Sequence, residues 1–83
     1  MSQTTQELKQ EMQKTLGLLQ TLRDELRVKV HLAGMDAKDE WSKLEDELEQ
    51  AEQQAEKVSD DSYAAVKDLL GKFRTFRQKI GHS

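Results

Sequence analysis

A chain of 83 residues without cysteine or proline has room for one small core, and it excludes a disulfide framework or a thiolate metal site. Charged and hydrophobic residues each make up 35% and aromatics 5%, which is the balance of a helical domain or rod rather than of a sheet protein. The net charge of −3 disfavours nucleic acid as the main partner. No apolar run approaches the length of a membrane span.

The charge is unevenly spread. Residues 1–35 carry five basic and four acidic side chains, residues 36–61 three and eleven, and residues 62–83 five and one. An acidic middle beside a basic end is either self-complementary or displays two charged surfaces. The polar stretch Met1 to Gln13 lacks the apolar core of a signal peptide. Together with the absence of cysteine, this sets the expectation of a cytoplasmic protein.

The first predicted helix covers about residues 4–33. Leu8, Met12, Leu16, Leu19, Leu22, Leu26, Val30 and Ala33 follow one another at steps of three and four, which keeps them on one helix face. A competing pattern crosses its end. Leu26, Val28, Val30 and Leu32 alternate with Arg27, Lys29 and His31, the period of a strand. A lone strand has no ladder partner within the chain, and the helical register runs straight through, so helix is predicted here. Gly17 lies inside this helix, as Gly71 does inside the last one. Each costs about 1 kcal/mol relative to alanine, and tolerance explains them better than a close helix approach.

Leu32-Ala33-Gly34-Met35-Asp36 reads as a stop and a restart. Gly34 is expected to take the left-handed conformation just past the first helix, and Asp36 to cap the second. The second helix is predicted over about 36–58, from Ala37, Trp41, Leu44, Leu48, Ala51, Ala55 and Val58. A softer break follows at Val58-Ser59-Asp60-Asp61-Ser62, with Ser59 or Asp60 as the cap. The third helix, about 60–80, carries Val66, Leu69, Phe73, Phe76 and Ile80. The expected fold is therefore all-α, an antiparallel up-down-up three-helix bundle forming a single domain over 1–83 with frayed termini. Without the second break, residues 37–80 form one long helix, and the alternative is a two-helix hairpin that assembles into a dimeric bundle.

With a turn near 59–60, Leu48 faces Leu69 and Phe73, Glu45 faces Arg74, Glu47 faces Lys72 and Glu52 faces Lys67. A turn near 34–35 brings Leu44 to Leu26, Leu48 to Leu22 and Ala51 to Leu19. The stripe Glu45, Glu49, Glu52 and Glu56 can be relieved by basic side chains of the same chain or of another copy.

No phosphate loop, nucleophile elbow or zinc-protease motif is present. His31 has Val28 and Arg27 three and four residues before it, so the Glu-x-x-His pair of di-iron bundles is missing, and His82 lies in the tail. No catalytic residue, cofactor-binding residue, metal ligand or cofactor is predicted, and the chain reads as a non-enzyme. Two interaction candidates remain. One is the basic surface Lys72, Arg74, Arg77 and Lys79 on an amphipathic helix, suited to anionic membrane or nucleic acid, although an acidic complement sits in the same chain. The other is an apolar surface of Val28, Leu32, Met35 and Trp41, where a second apolar edge joins the core stripe. The leading expectation is a helical interaction or scaffold protein that self-associates or docks a partner helix. Reversible binding to anionic membrane or nucleic acid through helix 62–80 is the alternative.

The run Leu26-Arg27-Val28-Lys29-Val30-His31-Leu32-Ala33-Gly34-Met35-Asp36-Ala37-Lys38-Asp39-Glu40-Trp41 resembles a segment of small uncharacterised bacterial helical proteins. The resemblance covers about a fifth of the chain and implies a bacterial origin. It carries over no activity and no site residues.

Overall fold

The computed structural model describes residues 5–81. Within them the chain forms three helices, α1 (Thr5–His31), α2 (Met35–Gln54) and α3 (Asp60–Gly81), and all three pack against one another. The expected up-down-up bundle is the fold, and the long two-helix alternative is excluded by the break between α2 and α3. The helix start expected at residue 4, the fraying expected at the N-terminus, and His82 lie outside the described residues. Gly81, expected to fray, is the last residue of α3.

The predicted stripes supply the core. Leu8, Met12, Leu19, Leu26 and Val30 of α1, Trp41, Leu44, Leu48 and Ala51 of α2, and Val66, Leu69, Phe73 and Phe76 of α3 form one buried cluster. Leu16, Leu22, Ala37, Ala55, Val58 and Ile80 pack against its edge. Steps of three and four spread each stripe over an arc wider than a single seam, so each helix touches both neighbours. Thr15 is a buried polar residue, and its hydroxyl donates to the Glu11 carbonyl at 2.9 Å. Its burial therefore leaves no hydroxyl unsatisfied.

The two turns differ in chemistry. At the first, α1 closes with short-range bonds from Leu32 N–H to the Lys29 carbonyl (3.2 Å) and from Ala33 N–H to the Val30 carbonyl (2.9 Å). Gly34 then opens α2 as its N-cap, in extended backbone at φ −75° and ψ 174°. This corrects two expectations: Gly34 is not left-handed, and Asp36 is not the cap but a first-turn acid. The chain reverses by tightening the last turn of α1 and then extending one residue, which requires no positive φ.

At the second turn neither glycine nor proline acts, and serine chemistry does. Ser59 Oγ accepts the Ser62 N–H at 3.1 Å, which makes Ser59 the N-cap of α3. The Ser62 hydroxyl in turn reaches the Lys57 carbonyl at 2.9 Å and the Gln54 carbonyl at 3.3 Å, tying the new helix to the end of the old one. Asp60 and Asp61 place negative charge where the helix dipole favours it. Val58 and Tyr63, both partly buried against the core, occupy the two positions of a hydrophobic staple.

Gly17 and Gly71 face open space, with nothing within 4 Å of where a Cβ would stand. No close helix approach requires them. Gly17→Ala and Gly71→Ala are each expected to stabilise the protein by about 1 kcal/mol. For a domain of this size that is a rise in Tm of about 4–8 °C, readable by circular dichroism. Ser59→Ala is expected to move the same measurement the other way, by about 1 kcal/mol. A neutral result would show that the Ser62 bonds hold the turn without the cap.

Candidate functional site

Trp41 follows Ala37 as the second member of the α2 stripe, and its ring goes inward. It is 4% exposed. Its centroid lies 5.5 Å from that of Phe73, tilted at 57°, and 5.7 Å from that of Phe76, nearly parallel at 22°. These are favourable aromatic geometries. Trp41 is thus a core residue joining α2 to α3 and takes no part in an exposed apolar surface, contrary to its grouping with Val28, Leu32 and Met35. The grouping failed because Trp41 shares the register of Leu44 and Leu48, and that register is the buried one.

The other three members are out in solvent. Val28 is 69% exposed, Leu32 86% and Met35 75%. The period-two alternation explains why. In a helix, Leu26 and Val30 fall on the inner face, while Val28 and Leu32 fall on the opposite one, 200° from Leu26 and Val30 in turn. Of the four large hydrophobic residues exposed among those described, these three crowd into eight positions around the α1–α2 turn, and only Leu18 lies elsewhere. A local cluster of this kind marks an interaction surface more often than scattered exposure does.

Beside the cluster the bundle end opens into a groove of about 670 Å³. Its apolar lining includes Leu32, Ala33, Ala37, Phe76 and Ile80. The small side chains of Ala33 and Ala37 leave the room, and Phe76, held from beneath by Trp41, closes the floor. Lys29 and Lys79, Asp36 and Glu40 rim it with both signs of charge. Leu32 also borders a second depression with Arg27, Val28 and His31. It therefore stands as a ridge between two hollows.

The basic surface has a different fate. Lys72 Nζ lies 3.1 Å from a Glu47 oxygen, Lys79 Nζ 3.2 Å from Glu40, and Arg77 3.3 Å from Glu25. Glu40 and Glu47 are seven residues apart on α2, and Lys79 and Lys72 seven apart in the opposite direction on α3, so both pairs report one antiparallel register. Arg74 is exposed and has no ion pair among the described residues. Its expected partner Glu45 turns instead to α1, 3.7 Å from Arg23 and 3.6 Å from Arg27. The reason is angular. Glu45 and Glu47 stand 200° apart around the helix and cannot both face α3. Glu52, seven residues after Glu45, shares its side, and the expected pair with Lys67 is absent among the described residues. Lys67 Nζ lies instead over the Tyr63 ring at 5.3 Å. The Arg23 Nε is enclosed with no hydrogen-bond partner among the described residues, so Glu45 attracts it only through charge.

Among the described residues no three of histidine, aspartate or glutamate gather as a metal site. Among the described residues no helix is long and apolar enough to cross a membrane. Comparison with protein-family models, with curated proteins and with solved structures finds no match to this chain.

The division between core tryptophan and exposed ridge is measurable. Trp41→Ala is expected to cost about 3–5 kcal/mol, a large part of the stability of so small a domain. Leu32→Glu and Met35→Glu should change it by no more than about 0.5 kcal/mol, since neither side chain is buried. Urea titration of the three variants checks the contrast.

Proposed function

We propose that this protein is a non-enzymatic helical interaction module, working through the apolar ridge and groove at its α1–α2 end. The observation that carries this reading is the exposure of Val28, Leu32 and Met35 together beside an apolar groove. Three such side chains in water forgo roughly 1.5–3 kcal/mol of burial each, and a partner recovers it. A helix laid into a groove, with anchors spaced three and four apart, is the general mode that such a surface serves.

The alternative, attachment of α3 to anionic membrane or nucleic acid, has less support. Phe73 and Phe76 are committed to the core, so the apolar side of α3 is not free to enter a lipid surface. Lys72, Arg77 and Lys79 already face carboxylates. Each exposed pair contributes at most about 1 kcal/mol and weakens with salt, but a polyanion must still compete with it.

A photo-crosslinking residue placed at Leu32, and in a second protein at Gln50 on the far end, tests the reading in native lysate. Crosslinks to a defined protein, or to another copy, should form from position 32 and not from position 50. Their absence from position 32 would remove the reading. Co-sedimentation with anionic vesicles or DNA that persists at physiological salt would favour the basic surface instead.

A further inference from the structure

The ridge and the groove lie side by side on one end of one molecule. Leu32 projects at 86% exposure and is itself one wall of the groove whose other walls are Ala33, Ala37, Phe76 and Ile80. A surface that carries a projection and a matching hollow next to each other is self-complementary. A two-fold axis beside it seats each projection in the other molecule's hollow, and both contacts form at once. A partner offering only a ridge fills the hollow and leaves Leu32 wet, while one offering only a hollow does the reverse.

Charge points to the same occupant. The groove rim holds two cations, Lys29 and Lys79, and two anions, Asp36 and Glu40. Any partner of uniform sign meets two like charges there, which is unfavourable in a partly desolvated contact. A second copy turned by a two-fold presents each sign to its opposite. Lys29 and Asp36 flank the turn on either side of Leu32, one at the end of α1 and one at the start of α2. They are therefore placed to cross the axis. Glu40 and Lys79 already pair within the molecule at 3.2 Å, whereas Lys29 has only a looser, exposed contact with Glu25 of its own helix at 3.9 Å, which a partner's Asp36 would share or displace.

Resting on the interaction reading above, we infer that the occupant of this end is a second copy of the chain, in an isologous dimer. Leu32 of each protomer enters the groove over Ala33 and Ala37 of the other. Lys29 faces the partner's Asp36, and Val28 and Met35 close the edge of the contact. The surface is a few hundred Å² per protomer, so the dimer is weak and concentration-dependent, well below the size of a permanent interface.

Sedimentation velocity of the full chain from micromolar to millimolar concentration tests this. The mass should rise from the 9.6 kDa of one chain toward twice that value. Leu32→Glu and, independently, Met35→Glu should weaken the dimer by about tenfold or more while leaving helicity unchanged. Lys29→Glu alone and Asp36→Lys alone should each weaken self-association, and an equimolar mixture of the two should associate more tightly than either by itself. A mass of one chain at every concentration overturns the inference, and so does a dimer that Leu32→Glu leaves intact. A mixture that associates no better than its components overturns the two-fold arrangement. If the protein stays monomeric while the crosslinker at position 32 captures a different protein, the second copy is wrong and the interaction surface stands. If it stays monomeric and nothing is captured, both fail.

Discussion

The packing of Trp41 between α2 and α3 is the contact on which the rest of this bundle depends. Its ring lies against both Phe73 and Phe76, so one side chain from the acidic helix engages two successive turns of the basic one. Aromatic burial of this size outweighs any single ion pair on the surface by several fold. It also sets what the end of the molecule looks like. With the tryptophan turned inward, the residues nearest the α1–α2 turn on the core side are Ala33 and Ala37, and they are too small to fill the space above Phe76. The groove is thus a consequence of where the large side chain went.

The ion pairs have a separate task. Glu40 and Glu47 meet Lys79 and Lys72, while Glu45 meets Arg23 and Arg27. The pairs to α3 are substantially exposed and the Arg23–Glu45 pair is half-buried, and such pairs add little to stability. They do penalise a shifted register, because moving α3 by one turn against α2 sets both lysines away from their carboxylates at once. The same slip would also take Trp41 out of its place against Phe73 and Phe76. The acidic helix accordingly packs against its two less acidic neighbours in one register, with hydrophobic burial supplying the cohesion, and the aromatic contact and the ion pairs together the alignment.

Helix existence, order and inward faces are legible in the sequence because periodicity over five to eight apolar positions leaves few alternatives. The exposed group at Val28 and Leu32 was legible for the same reason, as the residues left over when the stripe had been assigned. The size and rarity of Trp41 read as an interface signal, whereas its register with Leu44 and Leu48 places it inside. The pairs Glu45–Arg74 and Glu52–Lys67 failed because facing positions were matched along the chain without the angle around it. Residue type alone predicts a left-handed Gly34, whereas the turn is made by backbone bonds at Leu32 and Ala33 that no residue type announces. The links from Ser62 to Lys57 and Gln54 likewise depend on where a hydroxyl points once the turn exists.

The exposed ridge is not forced by the fold. Leu32 lies beyond the last residue of α1, and its side chain contributes almost nothing to the monomer's buried surface. A lysine or glutamine there has nearly the same helix propensity as leucine and keeps an isolated bundle better solvated. Val28 and Met35 are likewise exposed; Val28 stands between Arg27 and Lys29, and Met35 is followed by Asp36. Elsewhere on the three helices, Leu18 apart, the exposed side chains are polar, charged or small. A sequence that follows that rule along most of its length and departs from it at three neighbouring positions is spending solubility at one end. The monomer's core gains nothing from that departure, and this is the physical support for the proposed contact.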